Sequence, residues 1–374
     1  MIVKGTKKLL AYLKIEPEES ALGFSQGNTL DETHDSSLFF WYANMITIAR
    51  NNILILLHEK TRFTVILQGL KAADRKNIRS LIKDAVKDAL EKEYINQHAV
   101  DEYMNAMGEV EFQKATDRSM LGKIKNSAED MYGFGYELMD FKHMAQGDLT
   151  RNLNSRIYAN KRKEYFYPID LMIKELKAFS PEEEIIQVEA VELKITLNLL
   201  NKEVWRKVIL PLKTPFDKFH EIIQTLFSWQ DYHMHEFHIL SGDQIVLKLL
   251  PYVDKTDFPD VIYRRLEKGV ELAEHLPQYP KIRYIYDFGD YWEHDIELIR
   301  VLPKHNHIDP YCIDGAGQTP PEDVGGQGGY EEFLEIINDP LHPLREEMLT
   351  WANMQRYSDF DLDRVNQSLR HKIW

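Results

Sequence analysis

The densest concentration of groups able to move protons or hold a cation lies in residues 284–298, where Asp287, Asp290, Glu293, His294 and Asp295 crowd together. Two carboxylates and an imidazole at that spacing can surround one cation or one water, the arrangement that metal-assisted hydrolysis requires. On this reading Asp287, Asp290, Glu293 and His294 are the candidate catalytic residues. The same side chains also fit turn and surface. Asp287 and Asp290 flank Gly289, where Asx-type hydrogen bonds favour a tight turn, and Glu293, Asp295 and Glu297 fit the solvated face of a strand. A second constellation is His233-Met234-His235 with His238. Residues two apart in a strand share a face, so His233 and His235 would project together as paired imidazole ligands, or else make structural polar contacts. His233, His235, Asp290 and His294 are therefore the candidate ligands of a divalent metal, the one cofactor the sequence suggests.

Other motifs carry less chemistry. Gly325-Gly326-Gln327-Gly328-Gly329, ahead of a helical pattern over 330–337, has the composition of a phosphate cradle at a helix N-terminus. Glu331 and Glu332 in the first turn would repel an anion there, which favours a conformationally demanding loop. Pro320-Pro321-Glu322-Asp323 reads as a rigid loop closing over the preceding hairpin. Asp287-Phe288-Gly289 mimics the kinase magnesium motif, but no HRD loop precedes it, so a kinase is excluded. Five of the six tryptophans lie in the second half: Trp205, Trp229, Trp292, Trp351 and Trp374. They suit core packing or a stacked wall at a pocket mouth.

The elements that must position these residues follow from periodicity. Tyr284, Tyr286 and Phe288 alternate up to Gly289-Asp290, and Trp292, His294, Ile296 and Leu298 alternate after it, which predicts a β-hairpin. Upstream of it come strands over 191–197 and 204–210, and a helix opened by Thr214 at the N-cap and Pro215 at N1. Strands over 236–240 and 245–250 and a helix over 261–275 precede the hairpin. A long loop and C-terminal helices follow. In the first half, 45–49, 53–57 and 63–67 predict an antiparallel meander. Helical patterns cover 74–92, 99–107, 119–131 and 151–176. The fold class expected is α+β in two domains, 1–178 and 186–374, the second a mixed or antiparallel sheet packed with helices and compatible with a β-grasp-like core. The breaker Ser180-Pro181 and the acidic run that follows it, Glu182 to Glu184, mark the linker.

Charge divides the chain in the same place. Residues 1–180 carry 26 basic and 25 acidic side chains, whereas 181–374 carry 20 and 35, a net −15. Nucleic-acid affinity rests on neutralising phosphates, so any such contact is expected through the locally basic stretches 71–92 and 151–163 of the first half. Those stretches equally fit solvated helix faces. The single cysteine, Cys312, excludes an intramolecular disulfide framework and fits a reducing cytoplasm. The first residues lack the apolar core of a signal peptide, and the longest purely aliphatic run, 53–57, is too short to span a bilayer. No membrane contact is expected.

One set of motifs in the second half points to a family. Trp205-Arg206 is followed by Leu226-Phe227-Ser228-Trp229 and by residues 232–237. After these come Tyr286-Asp287-Phe288-Gly289-Asp290, Trp292-Glu293-His294-Asp295, Pro320-Pro321-Glu322-Asp323 and Gly325-Gly326. Asp339-Pro340, His342-Pro343, Trp351 and Phe360-Asp361 close the series. In that order they resemble the plasmid pRiA4b ORF-3-like family over residues 186–374. The resemblance implies a compact α+β module of bacteria and archaea, often near plasmids and mobile elements, with no settled biochemistry. Members are sometimes labelled resolvase-like, but no nucleophilic serine backed by arginines is present here. The family often carries cysteines flanking the PPED motif, whereas this chain has Thr319 and Val324 there, which argues against a thiolate metal site. The first half is similar to a small bacterial domain of unknown function, through residues 5–10, Trp41-Tyr42-Ala43-Asn44, Asp117-Arg118-Ser119-Met120 and Gly122. The expected function is a non-enzymatic binding or regulatory module for a protein or small-molecule ligand, associated with plasmids or mobile elements. The alternatives are a metal-dependent hydrolase or nuclease using the His/Asp/Glu cluster, and a nucleic-acid-binding protein working through the basic first half.

Overall fold

The computed structural model describes residues 1–16, 36–48, 50–131, 143–160, 162–182, 184–252, 263–370 and 372. Ala49, Lys161, Glu183, Val261 and Trp374, which enter the readings above, lie outside the described residues. The chain forms two compact units, Met1–Gln187 and Val188–Ile373, and is α+β throughout. Among the described residues no helix is long and apolar enough to cross a membrane.

The first unit opens with β1 (Ile2–Gly5) and α1 (Lys7–Leu13), which is capped by the Thr6 hydroxyl. The predicted meander follows as β2 (Phe40–Ile48), β3 (Asn51–His58) and β4 (Thr64–Gln68), paired antiparallel. Residues 53–57 are buried without interruption, as an apolar run must be when a strand is covered on both faces. Helices α2 (Ile78–Lys92), α3 (Gln97–Met107) and α4 (Arg118–Asp130) match the expected patterns, with β5 (Glu111–Lys114) between the last two. The sheet extends beyond that meander, with one strand ahead of it and one between the helices. The sheet order is β4-β3-β2-β1-β5, with β1 parallel to both neighbours; strands of four residues are too short to show a period. The single helix expected over 151–176 is also corrected. It is α5 (Gly147–Asn154), a small hairpin of β6 (Tyr158–Ala159) and β7 (Tyr165–Phe166), and α6 (Pro168–Phe179). The Asn160 side chain accepts hydrogen bonds from the backbone of Arg162 and Glu164, making the turn, and Pro168 restarts the helix at N1.

The second unit is built on β8 (Val188–Leu199), β9 (Lys202–Pro211), α7 (Phe216–Leu226), β10 (His235–Ser241), β11 (Gln244–Leu250), β12 (Arg264–Leu266), β13 (Lys281–Tyr286), β14 (Trp292–His305) and β15 (Tyr311–Ala316). Helices α8 (Gly326–Asn338), α9 (Arg345–Met354) and α10 (Leu362–Leu369) complete it. The sheet order is β12-β11-β10-β13-β14-β8-β9-β15, antiparallel except at β11–β12. A β-grasp core pairs its central strands in parallel, whereas β8–β14 is antiparallel, so that likeness does not extend to the topology. α7 buries Phe216, Phe219, Ile222, Ile223 and Leu226. The rings of Phe216 and Phe219 meet Phe237 at 5.0 and 5.7 Å. Each such buried side chain contributes about 1.5–3 kcal/mol.

Four local expectations are corrected in this unit. Thr214 is not the N-cap: its hydroxyl donates to the Pro211 carbonyl, and the extended Pro215 takes the cap position. The helix over 261–275 is replaced by β12 and a 3-10 turn at Leu272–Glu274, because Gly269 takes φ 74°, incompatible with a continuous helix. Within the expected loop lies β15, an edge strand on β9. The glycine-rich stretch is the first turn of α8 rather than a loop before it.

Candidate functional site

The predicted hairpin forms with Tyr286 opposite Trp292 and Tyr284 opposite His294. Its inner face is a packed aromatic layer. His294 is wholly buried, with the rings of Phe227, Trp229 and Tyr284 centred 4.8, 5.3 and 5.3 Å away. Neither of its ring nitrogens makes a well-formed hydrogen bond. Burial pushes the imidazole down to about 3, with the carbonyls of Tyr284 and Trp292 working weakly the other way. His294 is thus a core residue, and its assignment as catalytic base or metal ligand is corrected: period-two alternation sends it inward, away from the carboxylates that neighbour it in sequence. Phe288 was expected to continue the inner alternation, but the strand ends at Tyr286 and Phe288 is exposed.

The outer face is the solvated one. Arg283 Nε lies 3.4 Å from both Glu293 and Asp295, and the Asn198 amide donates to both carboxylates at 3.1 Å. Glu293 therefore serves strand pairing, not a catalytic pair with His294. Asp290 accepts from the Gly325 amide at 3.1 Å, tying the hairpin turn to the loop before α8. A Cβ on Gly326 would stand 2.9 Å from the Asp290 carbonyl, so a glycine is required at this approach. Asp290 is a fastener rather than a metal ligand.

The PPED segment closes over the turn as its composition suggested. The Pro320 carbonyl accepts from Trp229 Nε1 at 3.0 Å. The buried Glu322 carboxylate accepts from the Gln230 amide at 2.7 Å and from the Tyr286 hydroxyl. That hydroxyl accepts in turn from the Tyr232 and His233 amides at 2.9 and 3.4 Å. Burial, then the bond to Glu322, hold the Tyr286 phenol far above its ordinary range.

Where these segments meet, three ligand-type groups converge: His233, Asp287 and Asp323 present atoms all within 4.8 Å of one another. His233 Nε2 is 2.9 Å from Asp323 Oδ1 and 3.6 Å from Asp287 Oδ2. Asp287 and Asp323 both hold left-handed backbone, at φ 58° and 60°, and Asp287 Oδ1 accepts from the Gly289 amide at 2.8 Å. His235, expected beside His233, is elsewhere. It begins β10, stacks on His220 with ring centres 3.5 Å apart, and bonds through Nε2 to the buried Glu267 at 2.9 Å. Burial lowers its pKa, against the pull of Glu267. His233 precedes the strand, so the alternation that would have paired the two imidazoles does not reach it. His238 pairs instead with Glu236 at 2.6 Å.

Sequence reasoning missed several residues. His220 bridges the Tyr284 hydroxyl and Asp231, each at 2.8 Å; a lone histidine on the apolar stripe of α7 was its only signal. Burial raises the pKa of Asp231, but its bond to His220 and the charges of His220, His235 and Lys372 leave it lowered. Arg206 is buried and its five N–H groups go to the carbonyls of Leu226, Trp205, Ala316 and Gly317 and the Thr319 hydroxyl. Its guanidinium lies 4.1 Å from the Phe360 ring centre, and burial lowers its pKa to about 10. The Trp205-Arg206 motif is therefore architectural. Cys312 is fully buried, and burial raises its thiol to about 11, so it holds no thiolate in reserve. In the first unit much of the basic helix α2 is already paired: Lys83 with Glu109, Lys87 with Glu91 and Asp101, Lys92 with Asp88.

Residues 189–368 match the family model described as plasmid pRiA4b ORF-3-like protein. An uncharacterized protein, y4hQ, of Sinorhizobium fredii is 34% identical over 182 residues, which cover 49% of this chain and 89% of that protein. The chain belongs to the plasmid pRiA4b ORF-3-like family. Ahead of the pRiA4b ORF-3-like region, residues 2–171 match a domain of unknown function, DUF6933. A protein of unknown function from Methanosarcina mazei, MM3350, is 28% identical over 47% of this chain and 96% of its own, with a TM-score of 0.41.

Proposed function

We propose that the pRiA4b ORF-3-like unit is a binding module for a small anionic ligand, acting by occupancy rather than by catalysis. The observation that carries this reading is an open cavity of about 520 Å³ beside Trp229, lined by Arg356, Arg364 and Lys372 and, among the described residues, by no carboxylate side chain. Such a lining stands out in a half of the chain with net charge −15. Neither Arg356 nor Arg364 has an ion-pair partner among the described residues; the Arg364 guanidinium donates to the Ser358 hydroxyl and the Asp359 carbonyl, at 2.7 and 3.0 Å, while its backbone amide donates to the capping Asp361 carboxylate. Guanidinium groups left without carboxylates suit phosphate or carboxylate recognition. Trp229 and Tyr357 supply an aromatic wall, and the volume falls in the range of small-molecule sites. The engagement of His294, Glu293 and Asp290 in packing, strand pairing and loop fastening supports binding over hydrolysis. The plasmid in the family name supports a setting among mobile elements, and the lone buried thiol supports a cytoplasmic one.

The test is a thermal-shift and calorimetric screen of phosphorylated and carboxylated metabolites, from inorganic phosphate to nucleotides. Saturable binding of at least one member, weakened tenfold or more by Arg356→Ala and by Arg364→Ala, is expected. Binding by none of them, or binding indifferent to both substitutions, contradicts the reading.

A further inference from the structure

We propose that His233 Nε2, Asp287 Oδ2 and Asp323 Oδ1 form a binding site for a first-row transition-metal dication of the zinc or manganese kind. The site is separate from the cationic cavity and does not depend on it. Three observations support it. First, the two separations from the imidazole nitrogen fit, and all three ligand atoms lie within 4.8 Å of one another. A dication about 2.0–2.2 Å from each ligand atom holds those atoms about 3–3.5 Å apart, and His233 Nε2 lies 2.9 and 3.6 Å from the two carboxylate oxygens. Second, the groups point at a common space without satisfying one another. His233 Nε2 is a buried atom at ion-pair distance from a carboxylate oxygen on each side, yet it makes no well-aligned hydrogen bond to either. The Asp287 side chain is only 10% exposed; its Oδ1 is taken by the Gly289 amide, and among the described residues Oδ2 faces only the His233 ring nitrogen, at 3.6 Å. Holding such buried atoms without aligned hydrogen bonds is costly, and a shared cation removes the cost. Third, the ligands are held in place. The Tyr286 hydroxyl joins the His233 segment to Glu322, which adjoins Asp323, so one buried phenol fixes two of the three segments.

The ligand set selects the ion. One imidazole with two carboxylates is a nitrogen–oxygen set suited to zinc or manganese, and it lacks the six to eight oxygens that calcium takes. Asp323 is half exposed, so water completes the coordination from the open side. The acidic character of this half of the chain favours accumulation of cations there.

The experiment uses the full-length untagged protein, stripped with chelator, dialysed and titrated with zinc chloride and, separately, manganese chloride by calorimetry. One equivalent of at least one ion is expected to bind and to raise the melting temperature. His233→Ala and Asp323→Asn should each weaken binding at least tenfold, while Glu293→Gln, on the solvated strand face, should leave it unchanged. Both ligand positions are part-exposed, and melting of each variant in chelator confirms its fold. No saturable binding of either ion by the wild-type protein overturns the proposal. So does undiminished binding in His233→Ala and Asp323→Asn.

Discussion

The two histidines of His233-Met234-His235 meet opposite fates within one turn of chain. His235 stands inside β10, stacked on His220 and locked to a buried glutamate. His233 stands two residues before the strand, and its ring lies beside Asp287 and Asp323. The difference teaches that a strand dictates the direction of a side chain only within its hydrogen-bonded register. Ligand-like geometry arises where that register ends. The same contrast separates His294, carried into the core by alternation, from Asp287, which sits in the turn beyond β13.

The sharpest way to break this contrast is to cut the link between core and turn. Glu322→Ala leaves the Tyr286 hydroxyl and the Gln230 amide without their buried acceptor and should cost about 3 kcal/mol by chemical denaturation. A loss below about 1 kcal/mol would mean that the PPED segment does not clamp the hairpin.

The next effect is one of pH. His294 titrates at about 3 when folded and near its ordinary value of 6.5 when unfolded, so the unfolded chain binds the extra proton between those values. Stability contributed by neutral His294 is therefore complete above 6.5 and falls as pH drops towards 3, by about 1.4 kcal/mol per unit. Between pH 6.5 and 5 the wild-type protein should lose roughly 2 kcal/mol more than His294→Leu. Parallel pH profiles for the two would contradict the burial of this imidazole.

Much of this frame was legible in the sequence. The alternation of Tyr284, Tyr286, Trp292 and His294 fixes both the hairpin and which side chains face inward, because a period of two is a local property. The meander of β2, β3 and β4 and the stripe of α7 were legible for the same reason. The site itself was legible only in part. Residue type and spacing mark out His233 and Asp287, whereas Asp323 has only the signature of a loop, because its approach to them depends on Glu322 reaching Tyr286 across the fold. The parallel placement of β1 between β2 and β5 was hidden likewise, since pairing partners distant in sequence leave no period. Arg206 was visible as a motif, but nothing local says that a guanidinium will be satisfied by carbonyls and one hydroxyl, with no carboxylate.

Smaller effects sharpen the histidine comparison. His235→Ala leaves Glu267 buried and unpaired and should cost about 2 kcal/mol, whereas His233→Ala should fall within about 0.5 kcal/mol of the wild type without metal. Equal losses in the two would erase the distinction. Tyr286→Phe removes the hydroxyl that joins the two ligand segments and should cost about 1 kcal/mol in stability. It should also weaken metal binding about tenfold, although the phenol touches no ion.

The most direct measurement is zinc titration of the full-length protein beside its two histidine variants, His233→Ala and His235→Ala. With zinc, or with manganese where zinc does not bind, the account predicts one equivalent bound by the wild-type protein and by His235→Ala, and at least tenfold weaker binding by His233→Ala. Loss of binding in His235→Ala with retention in His233→Ala would contradict it.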